Sequence, residues 1–429
     1  MTVNGGTLDL NGQTISVGTL SGAGTVDNTA GGAASLTINH NSTATFTGTI
    51  ENTGGPLSIT KTGTGTQTFQ GTNFTYTGTT SVNQGTLSLQ LAGSSSSFNS
   101  VVNIANGATL DLTSNNGTVD NWVFDTAING VAGSNITKNG TGWVQMRNAG
   151  GLGGFHGTLT INDGIFGNGF NAVGDWTGST ADVVVNGNGV LDLRTDNITI
   201  DTLSGNGNVA NTFGTLDPVN TLTLGTGNGT GAFSGTIHGA GGGANNTSLD
   251  AGVIAVVKTG TGVQYFDGNN TYAGTTTVQN GFLVISREMA LGSAAAGTVV
   301  QDGATLQLEN RFNGDVHVVG EAVSIVGNGF FLGQNRGALA SWSGNNSWGG
   351  PVTMTGDSSI FVNTGSLLIS GAIGETPAGT SMTKIGNGEL ILSGANTYTG
   401  ATNVNAGTLT QAGGPLQNPR VNRKAGLFQ

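Results

Sequence analysis

Lys384-Ile385-Gly386-Asn387-Gly388, followed by Tyr398-Thr399-Gly400 and then by Val404, Gly407 and Leu409, is the stretch on which the fold turns, because the chain writes it four times. The other copies open with Lys61-Thr62-Gly63-Thr64-Gly65, Lys138-Asn139-Gly140-Thr141-Gly142 and Lys258-Thr259-Gly260-Thr261-Gly262. Their aromatics are Tyr76, Phe155 and Tyr272, each with Gly two residues later. Counted from the aromatic, an aliphatic stands at +6 (Val82, Ile161, Val278, Val404), Gly at +9 (Gly85, Gly164, Gly281, Gly407) and an apolar residue at +11 (Leu87, Phe166, Leu283, Leu409). The interval from lysine to aromatic is the same in the third and fourth copies, Lys258 to Tyr272 and Lys384 to Tyr398. It is slightly longer in the first, Lys61 to Tyr76, and longest in the second, Lys138 to Phe155, so insertions fall between strands, as they do on stacked repeats.

A longer duplication encloses these copies. Leu8-Asp9-Leu10 with Leu20-Ser21-Gly22-Ala23-Gly24 returns as Leu191-Asp192-Leu193 with Leu203-Ser204-Gly205-Asn206-Gly207. The halves run about 1–186 and 187–412, together a continuous array 1–412, and leave 413–429 as a non-repeat tail or linker that holds Arg420, Arg423 and Lys424.

Composition agrees with many short strands. Of 429 residues 78 are Gly, and only 8% are charged, against about 7% Gly and 25% charged in ordinary globular domains. Apolar residues alternate with polar ones, as in Leu87-Ser88-Leu89, Leu222-Thr223-Leu224 and Leu306-Gln307-Leu308, the period of strands with one buried face. The lysine spacing is too uneven for propeller blades, and a sandwich has no reason to reuse one motif. A parallel β-helix does, because each coil buries its inward residues against the coils beside it. At about 20 residues per coil, the low end of repeat lengths, the chain makes roughly 20 coils of a single elongated rod. Val82, Leu87, Ile161, Val278, Leu283, Val404 and Leu409 are its expected inward positions, and Asn83, Asn162 and Asn405 its expected corner ladder.

Several function classes drop out. A net charge of -11 with 12 basic residues gives no footprint for nucleic acid or an anionic membrane surface. No apolar run approaches the roughly 20 residues of a membrane helix, so no span is expected in this chain. Absence of Cys removes disulfides and thiolate metal sites. Met1 leads into a strand-like segment without a basic, apolar leader, which fits either a mature or truncated piece or export by another route.

The segment Lys384 to Gly400, continuing through Gly407-Thr408-Leu409, resembles the autotransporter-associated β-strand repeat, also called the passenger-associated transport repeat. Lys258 to Leu283 is similar, and Trp342-Ser343-Gly344-Asn345-Asn346-Ser347-Trp348-Gly349-Gly350-Pro351-Val352 resembles the segment that precedes this repeat in such proteins. The resemblance implies an all-β, right-handed parallel β-helix (β-solenoid) in a secreted or surface-displayed bacterial protein, its repeats serving export, folding and scaffolding.

Chemistry-bearing patterns are sparse. No Gly-Lys ends a phosphate-binding loop, no Ser sits in Gly-x-Ser-x-Gly, and His40, His156, His238 and His317 are scattered without a Glu-x-x-His partner, so each is expected on the surface. Alternation places Asp192, Arg194 and Asp196 on one outward strand face, where carboxylates and an Arg can bind Ca²⁺ and act on acidic polysaccharide; the plainer reading is a surface ion-pair row. The five tryptophans read first as core plugs or loop anchors of a thin solenoid; if exposed they could stack on sugar rings, and Trp122 and Trp176 are then the better candidates for glycan contact, because Trp342 and Trp348 are inside family-like segments. The expectation is a non-enzymatic extracellular solenoid without cofactor, serving as passenger stalk, scaffold or fibre subunit with end-to-end self-association. Glycan or surface adhesion is the alternative, and polysaccharide cleavage the more distant one.

Overall fold

The computed structural model describes residues 1–71, 74–91, 96–115, 122–147, 150–169, 174–194, 196–212, 219–239, 252–413 and 421–423. Among them every regular element is a β-strand, every strand pairing is parallel, and no helix is long and apolar enough to cross a membrane. The strands stack as a β-solenoid of about 16 turns. That is fewer turns than a uniform short coil would give, because coils vary in length. The path from Val256 to its in-register neighbour Thr276 is short, whereas the path from Leu222 to its neighbour Val256 is much longer. Most of 413–429 lies outside the described residues; Val421–Arg423 pairs with Thr402–Val404.

The chain forms two compact units, Met1–Asp201 with Gly207–Gly214, and Thr202–Asn206 with Thr215–Gln429. In the first, strands such as Leu57–Thr62 and Thr109–Ser114 alternate buried and half-buried residues down their length. Leu57 and Ile59, like Leu110 and Leu112, therefore stack inward on apolar residues one coil away. This burial, at about 25 cal/mol per Å², is the term that holds short Gly-rich strands together. Val82, Leu87 and Ile161 are fully buried here. Asparagines line one corner: Asn162 donates from Nδ2 to Asn139 Oδ1 (2.9 Å), and Asn186 to Asn162 (3.1 Å). The backbone N–H groups of Asn83 and Asn162 both donate to the motif lysine's carbonyl, Lys61 O and Lys138 O, at 2.9 Å.

In the second unit Val278 and Leu283 are likewise buried, while Val404 and Leu409 are half-buried, and Asn405 donates its backbone N–H to Lys384 O. Alternation breaks down in Gly281–Ile285, buried throughout, and in Ala304–Glu309, buried but for Glu309. Phe282, Val284 and Gln307 point away from the solenoid core and are covered from outside by loops.

The duplicated halves repeat a hydrogen-bond device as well as a sequence. Gln67 spans the core to Leu20, taking its N–H at 3.2 Å and donating to its carbonyl at 3.0 Å. Gln264 does the same to Leu203, at 3.1 and 2.8 Å.

Candidate functional site

The four motif lysines point inward. Each continues the buried alternation of its strand, and Lys61, Lys138, Lys258 and Lys384 are at most 1% exposed. Their stems lie between aliphatic neighbours in register: Ile38 and Val82 for Lys61, Leu112 and Ile161 for Lys138, Leu224 and Val278 for Lys258, Ile360 and Val404 for Lys384. The +6 aliphatic of the motif is thus the residue stacked on the lysine one coil later.

An ammonium has three donors and no acceptor, and three main-chain carbonyls meet it in every copy. Lys61 Nζ donates to Thr62 O (2.8 Å), Gly63 O (2.7 Å) and Gln84 O (3.3 Å). Lys138 donates to Asn139, Gly140 and Asp163 (3.0, 2.6 and 3.0 Å). Lys258 reaches Thr259, Gly260 and Asn280 (2.5, 3.0 and 3.4 Å). Lys384 reaches Ile385, Gly386 and Ala406 (3.0, 2.7 and 3.2 Å). Two acceptors belong to the lysine's own corner and the third to the next coil, so the ammonium clamps consecutive coils. The third acceptor always precedes the +9 glycine. At Gly85, φ is +68°, and a Cβ would stand 2.5 Å from Gly63 O and from Gly65 O, so only glycine lets the two corners close.

Burial pushes Lys138 and Lys384 down to about 8, and Lys61 below its usual range; at Lys138 the charges of Asp163 and Asp111 oppose the fall. A lowered lysine can serve as a nucleophile or base. Here each ammonium is enclosed and its donors are all used, which leaves no approach for a substrate.

The motif aromatic closes the same coil. Tyr76, Tyr272 and Tyr398 are buried, and their hydroxyls bond the buried Thr80, Thr276 and Thr402 four residues on, at 2.8, 2.6 and 2.7 Å. In the second copy both partners are apolar, Phe155 and Leu159, and no hydroxyl is left unpaired.

The sequence-derived site residues fall elsewhere than expected. Trp122 and Trp176 are 0% and 3% exposed and cannot meet a glycan. Trp122 packs among Phe74, Phe98 and Phe124, and Trp176 donates Nε1 to Asn168 Oδ1 at 2.8 Å. Asp192 and Arg194 are buried too, not on an outward row, and Asp196 is half-buried. The strand ends at Asp192, and Arg194 takes a left-handed turn (φ +46°) that lays its guanidinium over Trp143 at 4.6 Å. Asp192 accepts the N–H and hydroxyl of Thr212 (3.0 and 2.5 Å), and burial pushes it up to about 6. A raised carboxyl suits acid catalysis, but this one is sealed. His156 and His317 are exposed, whereas His40 and His238 are buried, against the expectation for all four.

Sequence reading passed over the lysines as chemistry, although four of the five lysines in the chain are the motif lysines. That economy was the available signal. It also passed over Trp143 and Trp342, which are the half-exposed tryptophans.

The family model described as passenger-associated-transport-repeat matches residues 59–89, 256–285 and 382–410. The copy containing Phe155 lies outside those matches. The chain is similar to the adhesin BmaC autotransporter of Brucella suis biovar 1 (strain 1330), with 26% identity over 485 aligned residues that cover 95% of this chain. It spans 13% of that relative's length. No solved structure matches.

Proposed function

We propose that this passenger-repeat chain is a non-enzymatic scaffold segment of a bacterial protein displayed at the cell surface or released outside the cell. The observation that carries the reading is the use of the repeated residues. Each motif lysine is spent on three main-chain carbonyls, and each motif tyrosine pairs with a core threonine or is replaced together with it. What the sequence repeats is the joint between coils, and a chain that repeats its joints is built to extend and to fold progressively. Coil-matched excision of residues 87–158, which joins Thr86 to Leu159 in the column of in-register strands that both belong to, tests it in the protein displayed on cells. A scaffold role predicts unchanged adherence with display of distal epitopes closer to the cell; lost adherence with distal epitopes still displayed would overturn it.

A second reading, adhesion, draws on two observations. The relative is named an adhesin, and one outer face of the second unit carries loops whose tips expose Phe312, Phe331 and Leu332 by 48%, 66% and 59%. Loops on a rigid scaffold are where binding residues concentrate.

A further inference from the structure

Four parallel strands of the second unit, Val263–Phe266, Gly281–Ile285, Ala304–Glu309 and Leu339–Ser343, set Tyr265, Val284, Gln307 and Ala340 side by side in register. The outer face of a solenoid is ordinarily polar. This one mixes apolar, aromatic and amide side chains and is roofed by two loops. Residues 310–316 bring Arg311 over the Tyr265 ring at 3.8 Å and pair it with Asp267 at 3.1 Å. Residues 328–338 set Phe330 edge-on to Phe282 at 5.3 Å and Arg336 over Trp342 at 4.6 Å. Beneath the second roof, with Leu332 and Arg336 in its wall, is a groove of about 240 Å³.

Its lining is amphiphilic. Half-exposed Tyr265 and Trp342 and the exposed Leu332 supply flat and apolar surface. Gln307 and Glu309, joined at 3.1 Å, and Arg336 supply polar groups. Nε and Nη1 of Arg336 are covered and have no hydrogen-bond partner. A purely apolar occupant would strand Arg336 and Glu309 together. A polyanion would meet Glu309 within a chain of net charge -11. A pyranose ring satisfies both demands: its C–H face lies on the ring surface of Tyr265 and Trp342 that Arg311, Arg336 and Phe361 leave exposed, while its hydroxyls donate to Glu309 and accept from Arg336 and the Gln307 amide.

We propose that this roofed groove is a saccharide-binding site that takes one neutral pyranose unit of a surface glycan. The proposal rests on the adhesive reading and gives it a place and a ligand class.

The test uses the full chain with immobilised neutral oligosaccharides ending in glucose, galactose, mannose or N-acetylglucosamine, beside sialylated and sulfated counterparts. At least one neutral probe is expected to bind, with a Kd raised about tenfold or more by Trp342→Ala, by Glu309→Gln and by Leu332→Asp. Leu332 is at an exposed loop tip, so its variant is expected to keep the thermal midpoint and separates lost binding from lost folding. Binding by none of the neutral probes, binding by charged probes alone, or binding that survives both Glu309→Gln and Leu332→Asp would each overturn the site. Cells that display the chain and still adhere in those cases keep the adhesive reading with another site or partner; cells that fail to adhere end both.

Discussion

Asp9 and Asp192 occupy the same place in the duplicated sequence and make the same local bonds. Each accepts the backbone N–H and hydroxyl of a threonine in the next coil: Thr29 at 3.1 and 2.6 Å, Thr212 at 3.0 and 2.5 Å. Their acidities nevertheless move in opposite directions. Asp9 is exposed, and the bonds from the Thr29 hydroxyl, the Thr29 N–H and the Asn11 N–H hold it below the usual carboxylate range. Asp192 has no exposed surface, and burial outweighs the same kind of bonds, raising it to about 6. Thr7–Asp9 pairs with one described strand, Thr25–Asp27, whereas Val190–Asp192 is flanked by Ile165–Asn168 and Asn208–Ala210. The hydrogen bonds are written locally; the dielectric around them is set by the coils stacked alongside.

If copies of one motif differ only through their surroundings, substitutions at equally buried copies should cost alike. The largest effect is expected at the lysines. Lys61→Ala and Lys258→Ala, one in each unit, should each destabilise by about 4 kcal/mol, from the lost stem and three stranded carbonyls, read from urea unfolding. A large cost in one copy alone would break the equivalence of the halves.

The next effect separates the two aspartates. Asp192 is raised in the fold, so its contribution is fully present below the ordinary value of 3.8 and is lost as pH rises through about 6, a change of about 3 kcal/mol. Asp9 is lowered, so its contribution is present above 3.8 and is lost as pH falls through its folded value. Thermal midpoints from pH 3 to 7 should show the Asp192 slope removed by Asp192→Asn and untouched by Asp9→Asn. The same slope in both variants would sink the account.

The smallest effect sharpens the comparison within the motif. Tyr272→Phe leaves the Thr276 hydroxyl without its partner and should cost about 1 kcal/mol, again read from urea unfolding. Phe155→Tyr should cost a similar amount, because Leu159 offers the new hydroxyl nothing. If it proved neutral, the paired replacement of Tyr and Thr by Phe and Leu would carry no energetic meaning.

The inward ladder was legible because alternation of Leu, Ile and Val needs only the strand period, and Val82, Leu87, Ile161, Val278 and Leu283 are buried as that period requires. The site was much less legible. Alternation gave Asp192 and Arg194 an outward face; the coils on either side cover Asp192, and the left-handed turn at Arg194 ended the alternation. Trp122 and Trp176 carry no mark in sequence that distinguishes a core ring from a surface one.

By itself the sequence determined that this protein is a stack of short parallel coils, because period-two strands, corner glycines and a motif written four times are all local in the chain. Only the tertiary structure decided which residues are sealed and which are offered. It buried the lysines under the next coil's carbonyls, sealed Asp192, and roofed an outer face with two loops, Tyr265 and Trp342 at its rim. Burial, and with it charge state and access, depends on neighbours one coil away, as Thr276 is from Val256 and Val256 from Leu222, and no short window of sequence contains them.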